Sequence, residues 1–199
     1  MQRSKEEIID YFQEFIFGFI YHDIERCIEV QANYAVALAL LSYTEYIGGL
    51  ISGNLGEKKE SENNFNRALK HFPHKYQGIN KTLKAQYVGK NGKLKTDTGI
   101  YKLFRCGMVH EYFIKGLGTI INNPDGQAAA HRIGIDVMEV KMWPTGLTEK
   151  LIILYTNEYF RDFRLAVNNI YKKLIIDSDV KLLDGFNKSL DRINARKIL

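Results

Sequence analysis

Hydrophobic and polar positions follow three regimes along the chain, and the first is helical. Ser4-Lys5-Glu6-Glu7 precedes Ile8, Ile9, Phe12, Phe15, Ile16 and Phe19, spaced mostly by three or four. Apolar positions recurring in this way line one face of an α-helix, and a serine followed three residues later by glutamate is a capping box. The pattern predicts a helix from Lys5 to about Asp23. The next run, NYAVALALLSYTEYIGGLISGN, is almost wholly apolar, as suits a helix inside a bundle; Asn33 is placed to cap its start, and Gly53 and Asn54 to end it. On this helix Ser42 and Glu45 project from neighbouring positions of one face. Gly48 and Gly49 remove side chains one turn later, so another helix can approach closely there.

GEKKESENNFNRALKHFPHKY is polar and reads as an exposed helix that stops before Pro73, because proline disfavours helix at the residue before it. A weaker helical stretch is expected up to Tyr87, then a turn at GKNGK with Asn91-Gly92 as its sharpest signal. Asp97 is placed to cap a following helix from Thr98 to about Phe113. From Lys115 to Tyr155 glycines and Asn122-Asn123-Pro124 separate short apolar runs, which predicts a small β-hairpin or irregular insertion. Helical spacing returns with Phe160, Phe163, Val167 and Ile170 to Tyr171, and a last helix is expected over Val180 to Ile193. The predicted fold is one mainly α domain spanning 1–199, an up-and-down helical bundle with the insertion at 115–155.

Composition narrows the functional classes. A chain of 199 residues with 45% hydrophobic and 26% charged positions is long enough for one good core and carries no mark of disorder. Acidic residues near the start stand where a secretory signal needs a cationic segment, and Asp10, Glu14 and Ser42 interrupt the apolar runs short of a membrane span. The expectation is an intracellular, cytoplasmic protein with no membrane partner. Cys27 and Cys106 make no disulfide framework and no Cys-x-x-Cys pair. The net charge of +5 mildly favours a polyanionic partner.

No phosphate-binding glycine loop, dinucleotide fingerprint, His-Glu-x-x-His or nucleophile elbow occurs. The histidines His22, His71, His74, His110 and His131 are scattered, and Pro73 separates the one close pair, so neither a metal nor a cofactor is expected. The candidate chemistry lies in Tyr101 to Tyr112, YKLFRCGMVHEY, where Arg105 and His110 stand with four residues between them within one predicted helix. A guanidinium stabilises charge on a phosphodiester, and an imidazole exchanges a proton near neutrality. RNA brings its own nucleophile, the 2′-hydroxyl. Arg67 and His74 have a comparable spacing, but Pro73 breaks that helix before the histidine.

The Arg-x4-His spacing in a helical setting, after bundle-like helices, resembles the HEPN superfamily of small helical proteins, whose signature is Arg, four to six residues, then His. The resemblance implies a metal-independent endoribonuclease that dimerises through its motif helices, with Arg105 binding the scissile phosphate and His110 moving or orienting the proton. Five residues along an ideal helix turn about 140° and rise about 7.5 Å, so the two side chains of one chain diverge and two chains would bring them together. Active members commonly carry Asn, Asp or His directly after the arginine, where this chain has Cys106.

Other readings of the same residues stand beside this one. His110 also fits a structural role in a half-buried setting, and Arg105 fits an ion pair with Glu45 or Glu111, since a carboxylate within an apolar helix is costly without a partner. Ser42 reads as a helix-packing hydroxyl and Cys106 as a small apolar filler rather than a nucleophile, beside the supporting roles that the resemblance would give them. Two function classes follow: a HEPN-like ribonuclease acting on RNA, or a non-catalytic helical module that binds a nucleotide or a protein partner.

Overall fold

A computed structural model describes residues 3–88, 91–111, 114, 117–123 and 131–197, with backbone alone at His110, Glu111, Arg196 and Lys197. The fold is mainly helical, with seven helices among the described residues, a two-strand hairpin and a three-strand mixed sheet.

Helix α1 is one rod that runs as α-helix over Lys5–Tyr11, as π-helix over Phe12–Ile20 and as α-helix again over Tyr21–Glu29. Its capping box forms as the sequence predicts: Ser4 Oγ accepts from the Glu7 N–H, and the Ser4 N–H donates to Glu7 Oε2 at 2.8 Å. The rod outlasts its expected end at Asp23. Tyr21, Ile24 and Ile28 continue the inward face, and burying them carries the helix through a segment whose polar residues resemble a loop.

Helix α2 (Asn33–Ser52) is the central element, packed against α1 and the later helices. Ala32 precedes it without any side-chain cap, so Asn33 opens the helix rather than capping it. Gly53 ends it at φ 75°, the left-handed conformation glycine adopts most easily. By length and composition α2 could cross a bilayer, with mean hydropathy 1.4. Ser42 therefore does not interrupt the run as the sequence reading held, and 56% of that stretch is buried within the fold.

Helix α3 (Ser61–Leu69) lies directly on α2 at the two glycines. A Cβ on Gly48 would sit 1.7 Å from the Asn64 carbonyl oxygen, so only glycine permits this approach. The segment is not the exposed helix expected from its polarity: Phe65, Ala68, Leu69 and the polar Asn64 are buried, and its other positions are polar and outward. Helix α4 (Lys75–Thr82) stops earlier than the stretch to Tyr87 that the sequence suggested. Lys84–Val88 and Leu94–Thr98 instead form β1 and β2, an antiparallel hairpin with Val88 opposite Leu94. Asn91-Gly92 lies between these strands, as its turn chemistry indicates, with the Lys93 N–H donating to Asn91 Oδ1.

Helix α5 begins as π-helix over Tyr101–Cys106 and continues as α-helix over Gly107–Glu111. Asp97 does not cap it, because it sits in β2 opposite Ala85. Asn80 of α4 takes that role across the fold, accepting from the Ile100 N–H at 2.8 Å. Phe113, the expected end of this helix, lies outside the described residues.

The 115–155 region is more ordered than a lone hairpin. Strands β4 (Ile135–Lys141) and β5 (Thr148–Tyr155) pair antiparallel as foreseen, and β3 (Leu117–Ile121) adds to the other edge of β5 in parallel. Helices α6 (Thr156–Ile175) and α7 (Val180–Lys197) close the chain, with Phe160, Phe163, Val167 and Ile170 inward on α6. A polar knot joins these layers. Asp162, 1% exposed, accepts from Tyr76 Oη at 2.9 Å and the Gly134 N–H at 3.3 Å through Oδ2, while Arg161 donates to Oδ1.

Candidate functional site

Arg105 projects from the π-helical first part of α5, between inward-facing Leu103 and Phe104 on one side and the next turn on the other. A π-helix spreads its hydrogen bonds over five residues, which rotates side chains away from α-helical positions and often marks functional sites. Here it directs the guanidinium toward α2, where Arg105 Nε lies 2.9 Å from Glu45 Oε2. The N–H is not aligned along that line, so the contact is ionic, and neither buried atom has a hydrogen-bonding partner among the described residues. The side chains are 22% and 18% exposed, so the pair is half-buried at the edge of the bundle, with the contacting Nε and Oε2 atoms themselves enclosed. Glu45 thus has the cationic partner that its place in an apolar helix demands.

Further groups complete the surroundings. The Arg105 guanidinium lies 5.9 Å from the Tyr101 ring centre, and Tyr101 packs against Phe65 of α3. Lys102 pairs with Glu62 at 3.1 Å, and the bond to that carboxylate raises its pKa. Tyr34 of α2 donates to the Met108 carbonyl and so ties the second half of α5 to the same helix. Cys106 is half-buried and packs against the core. Ser42 is half-buried on α2; among the described residues no hydrogen bond joins it to Glu45 or Arg105. His110 lies in the α-helical part of α5, but its side chain and that of Glu111 lie outside the described residues, as does Tyr112.

Burial pushes the Tyr101 hydroxyl up to about 12, helped by the charges of Glu45 and Cys106 and opposed by Ser61 and Arg105. The folded chain therefore holds this proton where an unfolded tyrosine, with a pKa of about 10, releases it. Stability from the buried hydroxyl is complete below pH 10 and is lost as pH rises toward 12. Tyr43, half-buried and bonded to Asp23, shifts the same way to about 12, chiefly through loss of solvent. A urea midpoint that is level to about pH 9 and then falls, with Tyr101→Phe flattening part of the fall, is the expected result. A midpoint unchanged up to pH 12 would contradict it.

The decoy pair separates. Arg67 lies on α3 and donates to Glu60 and Asn64, each at 2.9 Å, whereas His74 precedes α4 beyond Pro73. Among the described residues no three of His, Cys, Asp and Glu converge as a metal site would require. No family model, curated protein or solved structure matches this chain. The fold and the Arg105 site therefore stand on their own geometry.

Sequence reasoning gave Tyr101 and Lys102 no role of their own within YKLFRCGMVHEY and passed over Glu62 and Asn80. Lys102 precedes Arg105 by three residues and was legible as a second cation near the same face. Glu62 and Asn80 come from other helices, and no local pattern points to them.

The outward line of α2 borders Arg105. Ala35, Leu38, Ala39 and Ser42 lie along it at helical spacing and are half-buried or exposed. Glu45 joins it to α5, and the Tyr46 hydroxyl, bonded to that of Tyr11, joins it to α1. On α1 the exposed rings of Phe15 and Phe19 are one turn apart.

Proposed function

We propose that the protein is a HEPN-like, metal-independent endoribonuclease that works as a homodimer, with Arg105 and His110 of two α5 helices meeting at one cleft. The observation that carries this reading is the placing of Arg105. Glu45 and the Tyr101 ring fix the half-buried guanidinium at the edge of the bundle, beside the Ala35, Leu38, Ala39 and Ser42 line of α2, which a second helix can approach. A guanidinium held in this way has lost much of its rotamer freedom before a phosphate arrives, which favours tight charge-assisted binding.

In the proposed reaction Arg105 binds the scissile phosphate and stabilises its extra charge as the 2′-hydroxyl oxygen attacks phosphorus. One imidazole accepts the hydroxyl proton. The bond to the 5′-oxygen breaks, the imidazole of the other chain protonates that oxygen, and a 2′,3′-cyclic phosphate remains. Both protons are accounted for by the two histidines, and no metal enters the step.

The test is incubation of purified protein with mixed RNA in EDTA, comparing wild type with Arg105→Ala and His110→Ala. Cleavage that persists in EDTA and leaves cyclic-phosphate ends is expected, with each variant slower by about 10²–10³-fold. Activity retained by both variants, or dependent on magnesium, would sink this mechanism. Absence of any cleavage would leave the non-catalytic module, binding a nucleotide or a protein, as the better reading.

A further inference from the structure

A groove of about 880 Å³ runs between the β1–β2 hairpin and the lower part of the three-strand sheet, near the upper end of the size range of small-ligand sites. Lys84, Gln86 and Thr96 line one wall, and Leu117, Trp143 and Lys150 are among the residues of the other. Gln86 stands opposite Thr96 in the hairpin register, and Lys84 lies two residues before it on the same face.

Trp143 is the feature that needs an explanation. It is the chain's single tryptophan, and it stands 92% exposed on the turn between β4 and β5. Two backbone hydrogen bonds between Met142 and the Gly146–Leu147 segment, of 2.7 and 2.8 Å, close that turn. The ring is therefore presented from a defined turn, with its faces unburied. An indole held outward beside lysines and neutral hydrogen-bonding groups is the combination that binds single-stranded nucleic acid: bases stack on the ring, and cations follow the phosphates.

Charge favours the same occupant. The 84–98 segment carries Lys84, Lys90, Lys93 and Lys95 against Asp97 alone, a net +3 out of +5 for the whole chain. Glu149 also lines the groove and Lys150 stands opposite Glu139 in the sheet register, so the excess of positive charge lies on the hairpin wall. A second copy seated about a twofold axis would bring this basic hairpin close to its own image, at a cost in repulsion.

Topology connects the groove to the candidate site. Strand β2 ends at Thr98, just before α5 begins at Tyr101, and β3 begins at Leu117, soon after α5 reaches Glu111. Both walls are thus attached to the ends of the helix bearing Arg105 and His110, which at eleven residues spans roughly 16 Å.

We propose that this groove seats a single-stranded segment of RNA, with a base stacked on Trp143 and phosphates on Lys84 and Lys150, and delivers the strand to the α5 helix. The inference deepens the ribonuclease reading and rests on it for the nature of the polymer. Sequence preference is weak, because every base offers a face to stack.

The test uses wild-type protein and a 2′-O-methyl RNA of about 12 nucleotides, which binds but lacks the nucleophile. Trp143, as the single tryptophan, reports directly. Saturable quenching of its fluorescence is expected, with little from a duplex of the same sequence. Trp143→Leu should weaken binding of a labelled strand severalfold. Lys84→Glu with Lys150→Glu should weaken it further and lower the slope of log K against log salt by about 2. Unquenched emission, or affinity indifferent to all three substitutions, would overturn the groove. So would a dimer that dissociates on Trp143→Leu in sedimentation, since a second copy would then be the occupant. RNA cleavage by wild type with Trp143 unquenched removes the groove and keeps the nuclease; quenching without cleavage does the reverse.

Discussion

Asp162→Ala is expected to destabilise the protein by about 3–5 kcal/mol, the scale on which a buried, paired carboxylate is missed when its partners remain. Three separate elements hold their positions through this one side chain. Tyr76 of α4 donates its hydroxyl to Oδ2, Gly134 donates its N–H as the chain enters β4, and Arg161 of α6 grips Oδ1 and also reaches the Arg132 carbonyl. Burial and the neighbouring carboxylate raise the Tyr76 pKa well above its usual value, so its hydroxyl stays a donor that must find an acceptor. Without Asp162 that donor is orphaned in a fully enclosed site. For a chain of this size the loss corresponds to a fall in melting temperature of roughly 10 °C or more. Tyr76→Phe supplies the contrast. The Gly134 N–H, which also donates to Tyr76 Oη at 2.9 Å, then keeps only its 3.3 Å bond to Asp162, and Arg161 is undisturbed, so the cost should be nearer 1 kcal/mol. Calorimetry on the two variants checks both figures; equal effects would show that Asp162 does not organise the knot.

What was legible in the sequence was whatever depended on neighbouring residues. Ser4 and Glu7 cap α1 because both partners sit within one turn, and Gly53 ends α2 because its left-handed conformation is a local matter. Glu45 was legible for a different reason: a carboxylate on an apolar helix requires a cation, and Arg105 supplies it. The β1–β2 hairpin was not legible, because KTLKAQYV tolerates helix locally and only pairing with LKTDT decides for strand. Nor was the parallel alignment of β3 with β5, which joins residues more than thirty apart. Asp97 is the same lesson in one residue. It has the chemistry of a helix cap and the right position in sequence, yet strand pairing occupies it and Asn80, from another helix, accepts from Ile100. The polarity of α3 misled in the opposite direction, since one buried face with Phe65 and Leu69 is enough to seat a helix whose other positions are polar.

Gly48→Ala tests the contact on which the candidate site depends. The added methyl would lie 1.7 Å from the Asn64 carbonyl oxygen and 3.0 Å from the Ala68 nitrogen, both backbone atoms that cannot rotate aside. Helix α3 must therefore move off α2, and overpacking of this kind costs about 1–3 kcal/mol or more, or roughly 2–4 °C of melting temperature for each kcal/mol. The displacement reaches the site because α3 supplies Ser61 and Glu62, which hold Tyr101 and Lys102, while Glu45 lies one turn before Gly48 on α2. RNA cleavage should consequently fall further in Gly48→Ala than in a core variant of equal melting temperature elsewhere, such as Val167→Ala on α6. Gly49→Ala separates the causes. Its methyl would meet the Asn64 side-chain nitrogen at 3.0 Å, the Leu55 side chain at 3.2 Å and the Leu55 Cα at 3.3 Å, all looser contacts than the 1.7 Å one at Gly48 and two of them with side chains that can shift. It should therefore cost less in both measurements. If Gly48→Ala melts like the wild type, α3 has room that this geometry denies. If it is destabilised yet cleaves as well as Val167→Ala, the placing of Arg105 does not depend on the α2–α3 contact.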